Sequence, residues 1–255
     1  MTDPLQDVSV IIITHDEERN IADCLDSVKW AGEVLVVDSH SADRTLELCR
    51  QRGAKVYVET WKGYAAQKNS ALDKAEKTWV LSLDADERVT PELVEEIREV
   101  LHRSNSMDGY SIPRKNHFAG HWIRHGGWYP DRTLRFFRRN RGRFEERAVH
   151  EKVVIQGKTS DLQNPILHYT YRDISDFLRR SDRYSSLSAR EYATRRITGP
   201  LRMLGHAMYT FLDMYVFKLG FLDGYYGFLL ACLYSHYTFA KYAKLKELTI
   251  ESPGS

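Results

Sequence analysis

The sequence contains little cysteine: Cys24, Cys49 and Cys232 are the three cysteines of a 255-residue chain. An odd number of cysteines without CxxC spacing argues against a disulfide framework and against a zinc site, and it favours a reducing compartment. The segment before the first apolar run is acidic and has no basic stretch, so we expect no signal peptide. We therefore expect a protein that stays on the cytoplasmic side.

Three other features are scarce or absent. The net charge is only +2, which gives no global field that would attract nucleic acid. Neither a GxxxxGK loop nor a GxGxxG sequence occurs, so phosphate groups are not expected to bind a glycine-rich loop at a helix N-terminus. The uncharged stretch over residues 224–240 is shorter than the roughly 20 apolar residues of a membrane span. No transmembrane helix is therefore expected.

The first part of the chain alternates strand-like and helix-like segments. Residues 8–13 are mostly apolar and β-branched, which is typical of a strand covered on both faces in a parallel sheet. Further strands are expected at 34–37, 56–58 and 79–83, with helices between them, and another helix should begin at Thr90 and Pro91. This alternation predicts an α/β fold, with a Rossmann-like, mostly parallel sheet and flanking helices.

Polar side chains follow three of these strands. They are Thr14 and Glu17 after the first strand, Asp38 after the second, and Asp84 and Asp86 after the fourth. Ligands of open parallel sheets bind beyond the carboxyl ends of the strands, and aspartates separated by one residue can converge on a hard divalent cation. Alternatively, Asp84 and Asp86 only begin a turn and cap the next helix. Their position after a buried strand favours the metal and nucleotide site.

Three of these segments resemble the donor-site blocks of family 2 inverting glycosyltransferases, which have a GT-A fold. The matching segments are residues 10–21, 36–45 and 83–87. Five shorter motifs are similar to the lipopolysaccharide core glucosyltransferase branch of that family, namely residues 67–72, 127–131, 135–139, 149–151 and 168–169. The resemblance implies that residues 1–110 bind a nucleotide sugar and that residues 111–172 form the acceptor side of the same catalytic domain. Residues 173–255 would be a helical C-terminal appendage.

The resemblance also implies roles for individual residues. Donor binding would fall to Thr14, Glu17, Asp38, Lys68, Asn69 and Asp84. Asp86 would be the principal ligand of Mg²⁺ or Mn²⁺, with Asp84 as the second. The implied reaction moves a hexose, with glucose expected, from a nucleotide-diphosphate sugar such as a UDP-sugar to a lipopolysaccharide inner-core acceptor. A polyprenyl-phosphate sugar transferase and a non-catalytic nucleotide-sugar-binding module are the alternatives, and a binding module would hydrolyse no nucleotide sugar with any metal.

An arginine cluster spans residues 132–147. Guanidinium groups suit phosphate and carboxylate, so we expect Arg135 and Arg138, with Trp128, to bind a lipopolysaccharide-core or lipid-linked acceptor. A solvated β-ribbon would also explain the cluster. No nucleic-acid reader motif accompanies it, so nucleic acid is not an expected partner.

The C-terminal part, residues 173–255, is expected to be helical, first rich in arginine and then rich in aromatic residues. Such helices suit an interfacial association with an anionic membrane surface, peripheral on its inner face. A helical pair packed on the catalytic domain or on another subunit is the alternative.

The catalytic base of an inverting transfer must be a carboxylate or an imidazole near the attacking hydroxyl. We favour Glu151, oriented by His150, with Asp131 as the alternative.

We predict that Glu151→Gln lowers turnover by about two orders of magnitude or more, because glutamine keeps the shape but cannot accept the proton. Donor affinity should stay unchanged. Initial rates and donor binding, measured on the same variant, check this expectation. Near-normal turnover in Glu151→Gln together with loss in Asp131→Asn would transfer the role to Asp131.

Overall fold

The computed structural model describes residues 3–103, 107–145, 152–191 and 199–250. The chain divides into two compact units. The first unit comprises residues 1–114 and 132–168, and the second comprises residues 115–131 and 169–255.

The described residues form strands and helices with the following bounds. The strands are β1 (Val8–Thr14), β2 (Glu33–Asp38), β3 (Lys55–Val58), β4 (Trp79–Asp84), β5 (Glu87–Val89), β6 (Gly109–Phe118), β7 (His121–Trp122), β8 (Asp131–Arg138), β9 (Gly142–Glu145), β10 (Lys152–Ile155), β11 (Thr159–Asp161) and β12 (Ile166–Tyr171). The α-helices are α1 (Ile21–Asp26), α2 (Thr45–Gln51), α3 (Tyr64–Lys74), α4 (Pro91–His102), α5 (Ile174–Glu191), α6 (Pro200–Leu212) and α7 (Gly224–Ile250).

The main sheet has the strand order β3-β2-β1-β4-β8-β6-β12-β5, and β7 and β11 pair with β6. Strands β1 to β4 pair in parallel, β8 joins β4 antiparallel, and β9 and β10 form a separate antiparallel ribbon. The predicted α/β fold with flanking helices and a helical C-terminal region is confirmed. The sheet as a whole is mixed, because the strands after β4 join it largely antiparallel.

Strand β1 lies at the centre of the parallel part because both of its faces are apolar. Val10 and Ile12 belong to one buried cluster, which also contains Leu93 of α4, and Ile11 belongs to another, which contains Leu72 of α3. The alternation of side chains along a strand produces this division. Helices therefore cover both faces, and the polar residues that follow each strand are left at the sheet edge.

The second unit is built around three helices, with α5 and α6 both packed against α7. Its core contains Phe118, Ile123, Trp128, Phe177, Met214, Leu230 and Ala231. Position 227 requires glycine, because a Cβ atom there would lie 1.8 Å from the carbonyl oxygen of Gly220. Among the described residues, no single helix has the length and apolar character to cross a membrane. The segments 200–217 and 220–248, bent by 71°, meet that criterion of length and composition only as a pair.

Two amide side chains of α3 have opposite environments. Asn69 donates from Nδ2 to the Phe144 carbonyl at 2.8 Å and accepts from the Phe144 N–H at 3.0 Å. Gln67 is completely buried, and neither end of its amide has a hydrogen-bond partner within the described part of the chain. Asn69 therefore fastens β9 to α3, whereas Gln67 carries the desolvation cost of an unsatisfied polar group.

We predict that Asn69→Leu lowers the free energy of unfolding by about 1–3 kcal/mol, because it leaves the Phe144 N–H and carbonyl without partners. Gln67→Met, which removes two unsatisfied atoms from a buried site, should leave that free energy unchanged or raise it. Equilibrium denaturation in urea, with equal m-values for both variants, measures the difference. Equal destabilisation by the two substitutions would contradict the contrast.

Candidate functional site

Asp38 ends β2 beside Thr14, its register partner at the end of β1. The Asp38 carboxylate is buried and accepts a hydrogen bond from Thr14 Oγ1 at 2.8 Å. It also accepts from the Ser41 N–H at 2.8 Å and from the Ser41 hydroxyl at 2.5 Å. These three bonds compensate the burial of a carboxylate. The structure thus brings two predicted donor residues together, and Asp38 orders the loop that follows β2.

The loop after β1 is hydrogen-bonded to the loop after β2. The Glu17 N–H donates to Thr45 Oγ1 at 2.8 Å, and the Ala42 N–H donates to Asp16 Oδ1 at 2.7 Å. The Glu17 carboxylate accepts from Asn20 Nδ2 at 2.7 Å. These hydrogen bonds join the two loops into a rim at the carboxyl ends of β1 and β2, the edge where parallel sheets bind their ligands.

Asp84, at the end of β4, bonds to two cations. Its Oδ1 accepts from Lys68 Nζ at 2.8 Å, and its Oδ2 accepts from Arg135 Nη2 at 2.6 Å. The side chains of Lys68 and Arg135 are only 3% and 8% exposed. Burial opposes ionisation of Asp84, but the charges and hydrogen bonds of Arg135 and Lys68 hold its pKa well below the usual range. Asp84 is therefore a fixed carboxylate anion.

Glu87 binds both members of the Arg135–Asp84 pair. The sequence gives it no predicted role. It is completely buried, and its Oε1 accepts from Arg135 at 2.8 Å and from Arg114 at 3.4 Å. Its Oε2 accepts from the Asp84 N–H at 2.9 Å. The signal that could have revealed it is a third acidic residue directly after Asp86. Glu87 both closes the turn from β4 to β5 and orients Arg135.

Asp86 lies next to His168, which belongs to one of the motifs similar to the glucosyltransferase branch and for which the sequence predicts no role. The distance from His168 Nε2 to Asp86 Oδ2 is 3.6 Å, and both side chains are largely buried. The antiparallel pairing of β12 with β5, with His168 opposite Glu87, brings the imidazole to this edge. Burial disfavours the imidazolium, but the hydrogen bond and charge of Asp86 outweigh it and raise the pKa of His168.

The donor set of this pair fits a divalent cation. It offers one carboxylate and one imidazole, ligands that Mn²⁺ accepts. Their separation of 3.6 Å is near the about 3 Å between adjacent ligands of an octahedral ion. Within the described ranges, no group of three or more His, Cys, Asp or Glu side chains has a metal-binding arrangement. Asp84, also a predicted ligand, bonds to Lys68 and Arg135 through both of its oxygens.

The predicted acceptor residues lie in different surroundings. Arg135 belongs to the Asp84 cluster, whereas Arg138 lies over the Trp79 ring at 4.6 Å and pairs with Asp108 at 3.8 Å. Trp128 is part of the core of the second unit. Acceptor binding by these three residues stays a prediction.

Of the candidate catalytic bases, only Asp131 lies within the described residues. Its Oδ2 accepts from Asn116 Nδ2 at 3.1 Å, and the same amide donates to the Trp128 carbonyl at 2.9 Å. His150 and Glu151 lie outside the described residues. The assignment of the base stays a prediction.

The chain is similar to known proteins in sequence and in fold. The family model described as Glycosyl transferase family 2 matches residues 9–159. The lipopolysaccharide core biosynthesis glycosyltransferase LpsC of Rhizobium meliloti is 27% identical over 95% of this chain and 93% of its own length. An uncharacterized glycosyltransferase of Rickettsia typhi is 28% identical over 97% of this chain and 89% of its own.

Among solved structures, residues 1–349 of TarS from S. aureus are similar with a TM-score of 0.45 and 16% identity, over 96% of this chain and 92% of that one. Glucosyl-3-phosphoglycerate synthase from Mycobacterium tuberculosis, in complex with Mn²⁺ and UDP, has a TM-score of 0.37 and 20% identity, over 43% of this chain and 44% of that one. The family model spans more than half of the chain. The protein is therefore a glycosyltransferase that belongs to glycosyl transferase family 2.

Proposed function

We propose that the protein transfers a hexose, with glucose expected, from a UDP-sugar to a lipopolysaccharide inner-core acceptor, with inversion at the anomeric carbon. The observation that carries the proposal is the pair Asp86 and His168 beside the ion-pair cluster of Asp84, Lys68 and Arg135. A carboxylate and an imidazole at the carboxyl end of a parallel strand are suited to a cation that binds a diphosphate.

The donor site follows from the strand-end residues. Thr14, Asp38 and Glu17 lie on the rim formed by the first two loops and would contact the nucleoside. Asp86 and His168 would hold Mg²⁺ or Mn²⁺, which would neutralise the departing diphosphate. Lys68 and Arg135 keep Asp84 ionised and fixed in position, so that its carboxylate is ready for a ribose hydroxyl or a metal-bound water.

The roles proposed for the acceptor side assume an inverting displacement. Glu151 would accept the proton of the attacking hydroxyl, with His150 orienting it and Asp131 as the alternative. An inner-core acceptor is supported by the resemblance of the sequence motifs and by the name of the relative LpsC, which the chain matches along almost its whole length.

Membrane association is supported by the outer face of α6. Met203 and Ala207 are buried, whereas most side chains on the opposite face are apolar and exposed. The exposed apolar side chains of this helix are Leu201, Leu204, Met208, Tyr209 and Leu212. An apolar stripe of this kind, with the exposed Arg202 beside it, suits the interfacial region of an anionic bilayer.

The turn after α6 extends this surface. Its exposed apolar side chains are Val216, Phe217, Leu219, Phe221 and Leu222. Lys218, within the turn, pairs with Asp213 at 2.6 Å, and Asp223 accepts hydrogen bonds from the N–H groups of Arg124 and His125. Paired charges lower the cost of bringing the turn into the interface. The apolar surface of α6 and this turn would thus lie on the inner face of the membrane.

We predict that Asp86→Ala and His168→Ala each weaken UDP binding in the presence of Mn²⁺ at least tenfold, about 1.4 kcal/mol. Each substitution removes one ligand of the cation. Calorimetry with UDP, with Mn²⁺ and with a chelator, measures the metal-dependent part of the affinity. His102→Ala, at an exposed histidine that ends α4, is the matched control. Unchanged metal-dependent affinity in His168→Ala would remove that residue from the metal site.

We also predict that Leu204→Glu with Met208→Glu lowers binding to phosphatidylglycerol vesicles about tenfold or more, since each buried apolar side chain contributes about 1.5–3 kcal/mol. Co-sedimentation of the full-length chain measures the effect. Val58→Glu with Trp61→Glu, at exposed apolar positions of the first unit, should bind as the unsubstituted protein does. Equal binding by all three proteins would favour a packing surface for another protein.

A further inference from the structure

The hairpin formed by the end of β6 and by β7 has one buried face and one accessible face. His117 pairs with Trp122 across the two strands. Side chains alternate along each strand, so Asn116, Phe118 and Ile123 point into the second unit and are buried. The opposite face carries Lys115, His117, Trp122 and Arg124, which we call the Trp122 face.

Two cations share one indole on the Trp122 face. Lys115 Nζ lies 4.6 Å from the centre of the Trp122 ring, and Arg124 Cζ lies 4.3 Å from it. Throughout the described ranges, neither side chain has a carboxylate within salt-bridge distance. The ring attracts both cations, but no carboxylate of the described residues relieves their mutual repulsion. The arrangement is therefore suited to an anionic group from outside.

The position of Arg124 is fixed by its backbone. Its N–H donates to the Asp223 carboxylate at 3.1 Å, and the adjacent His125 N–H donates to the same carboxylate at 2.8 Å. The guanidinium group stays exposed. Since the main chain is already held, less order has to be gained when an anion binds.

Aromatic rings extend the Trp122 face. Tyr129 contacts Trp122 edge to face, with 5.5 Å between the ring centres. Tyr169 stacks on His117, with 5.1 Å between the ring centres, and is 39% exposed. The four alternating positions of the face include no aliphatic side chain, which distinguishes it from the apolar surface of α6. Flat aromatic rings combined with a few polar groups are typical of small-molecule sites, and guanidinium and ammonium groups bind phosphate and carboxylate.

We propose that the Trp122 face is a binding site for an anionic saccharide. Its phosphate or carboxylate binds Lys115 and Arg124, and its sugar ring lies against the aromatic side chains. This inference deepens the proposed function, on which it rests, because it assigns a charged subsite for the acceptor to residues other than Arg135, Arg138 and Trp128.

The test uses the full-length protein with ¹⁵N-labelled tryptophan, and Trp122→Phe identifies the Trp122 indole resonance. Glucose 6-phosphate and glucuronate should each shift that resonance saturably, with a Kd on the order of 1 mM. Glucose should bind at least tenfold more weakly. Lys115→Gln with Arg124→Gln should lose the response, and Arg179→Gln with Arg183→Gln, at exposed arginines of α5, should retain it.

Three results would overturn the proposal. The first is equal binding of glucose 6-phosphate by the double variant and the unsubstituted protein. The second is an equal response to inorganic phosphate, which would leave an anion site without saccharide recognition. The third is a response confined to phosphatidylglycerol vesicles or to oligodeoxythymidine.

Calorimetry with UDP and Mn²⁺ on the same proteins separates this site from the donor site. The double variant should bind UDP as the unsubstituted protein does. If no protein binds UDP while the Trp122 resonance still responds to the charged sugars, the proposed function fails and the saccharide site stands.

Discussion

The half-buried carboxylate of Asp84 is the constraint on which the site depends. Lys68 of α3 and Arg135 of β8, which lie far apart in the sequence, both donate hydrogen bonds to it. Glu87 accepts a hydrogen bond from the same Arg135. Lys68 and Arg135 are themselves buried, so removing the Asp84 carboxylate would leave two buried cations without this partner and would destabilise the protein. The ion pairs therefore fix the positions of α3 and β8 relative to the end of β4.

The partners of Asp84 and Glu87 also determine how the environment of Asp86 differs from that of Asp84. Glu87 accepts from the Asp84 N–H, so both ends of the turn between β4 and β5 are held. The Asp84 carboxylate is bonded to the side chains of Lys68 and Arg135, whereas Asp86 has the imidazole of His168 as its neighbour. Two aspartates separated by one residue thus have different partners. Their environments, and not their spacing, distinguish a carboxylate that organises the protein from one that is suited to a metal.

Much of the fold could be predicted from local patterns. The apolar run of β1 and the Thr90 cap of α4, whose Oγ1 accepts from the Leu93 N–H at 3.2 Å, are encoded within a few residues. Arg135 and His168 could not be placed in this way. Arg135 is 51 positions from Asp84, and each enters the site through a strand whose pairing depends on the whole sheet. Periodicity predicts that a segment is a strand but not which neighbour it joins.

The bond between Asn69 and Phe144 has a mechanical consequence. Lys68 and Asn69 are adjacent in α3, so one helix contacts both Asp84 and β9. Glu145 of β9 pairs with Lys152 of β10, so β9 carries the ribbon with it. A displacement of α3 would move Lys68 together with the Asn69 side chain that holds β9. The ion pair at the end of β4 and the β9–β10 ribbon are thereby linked through a single helix.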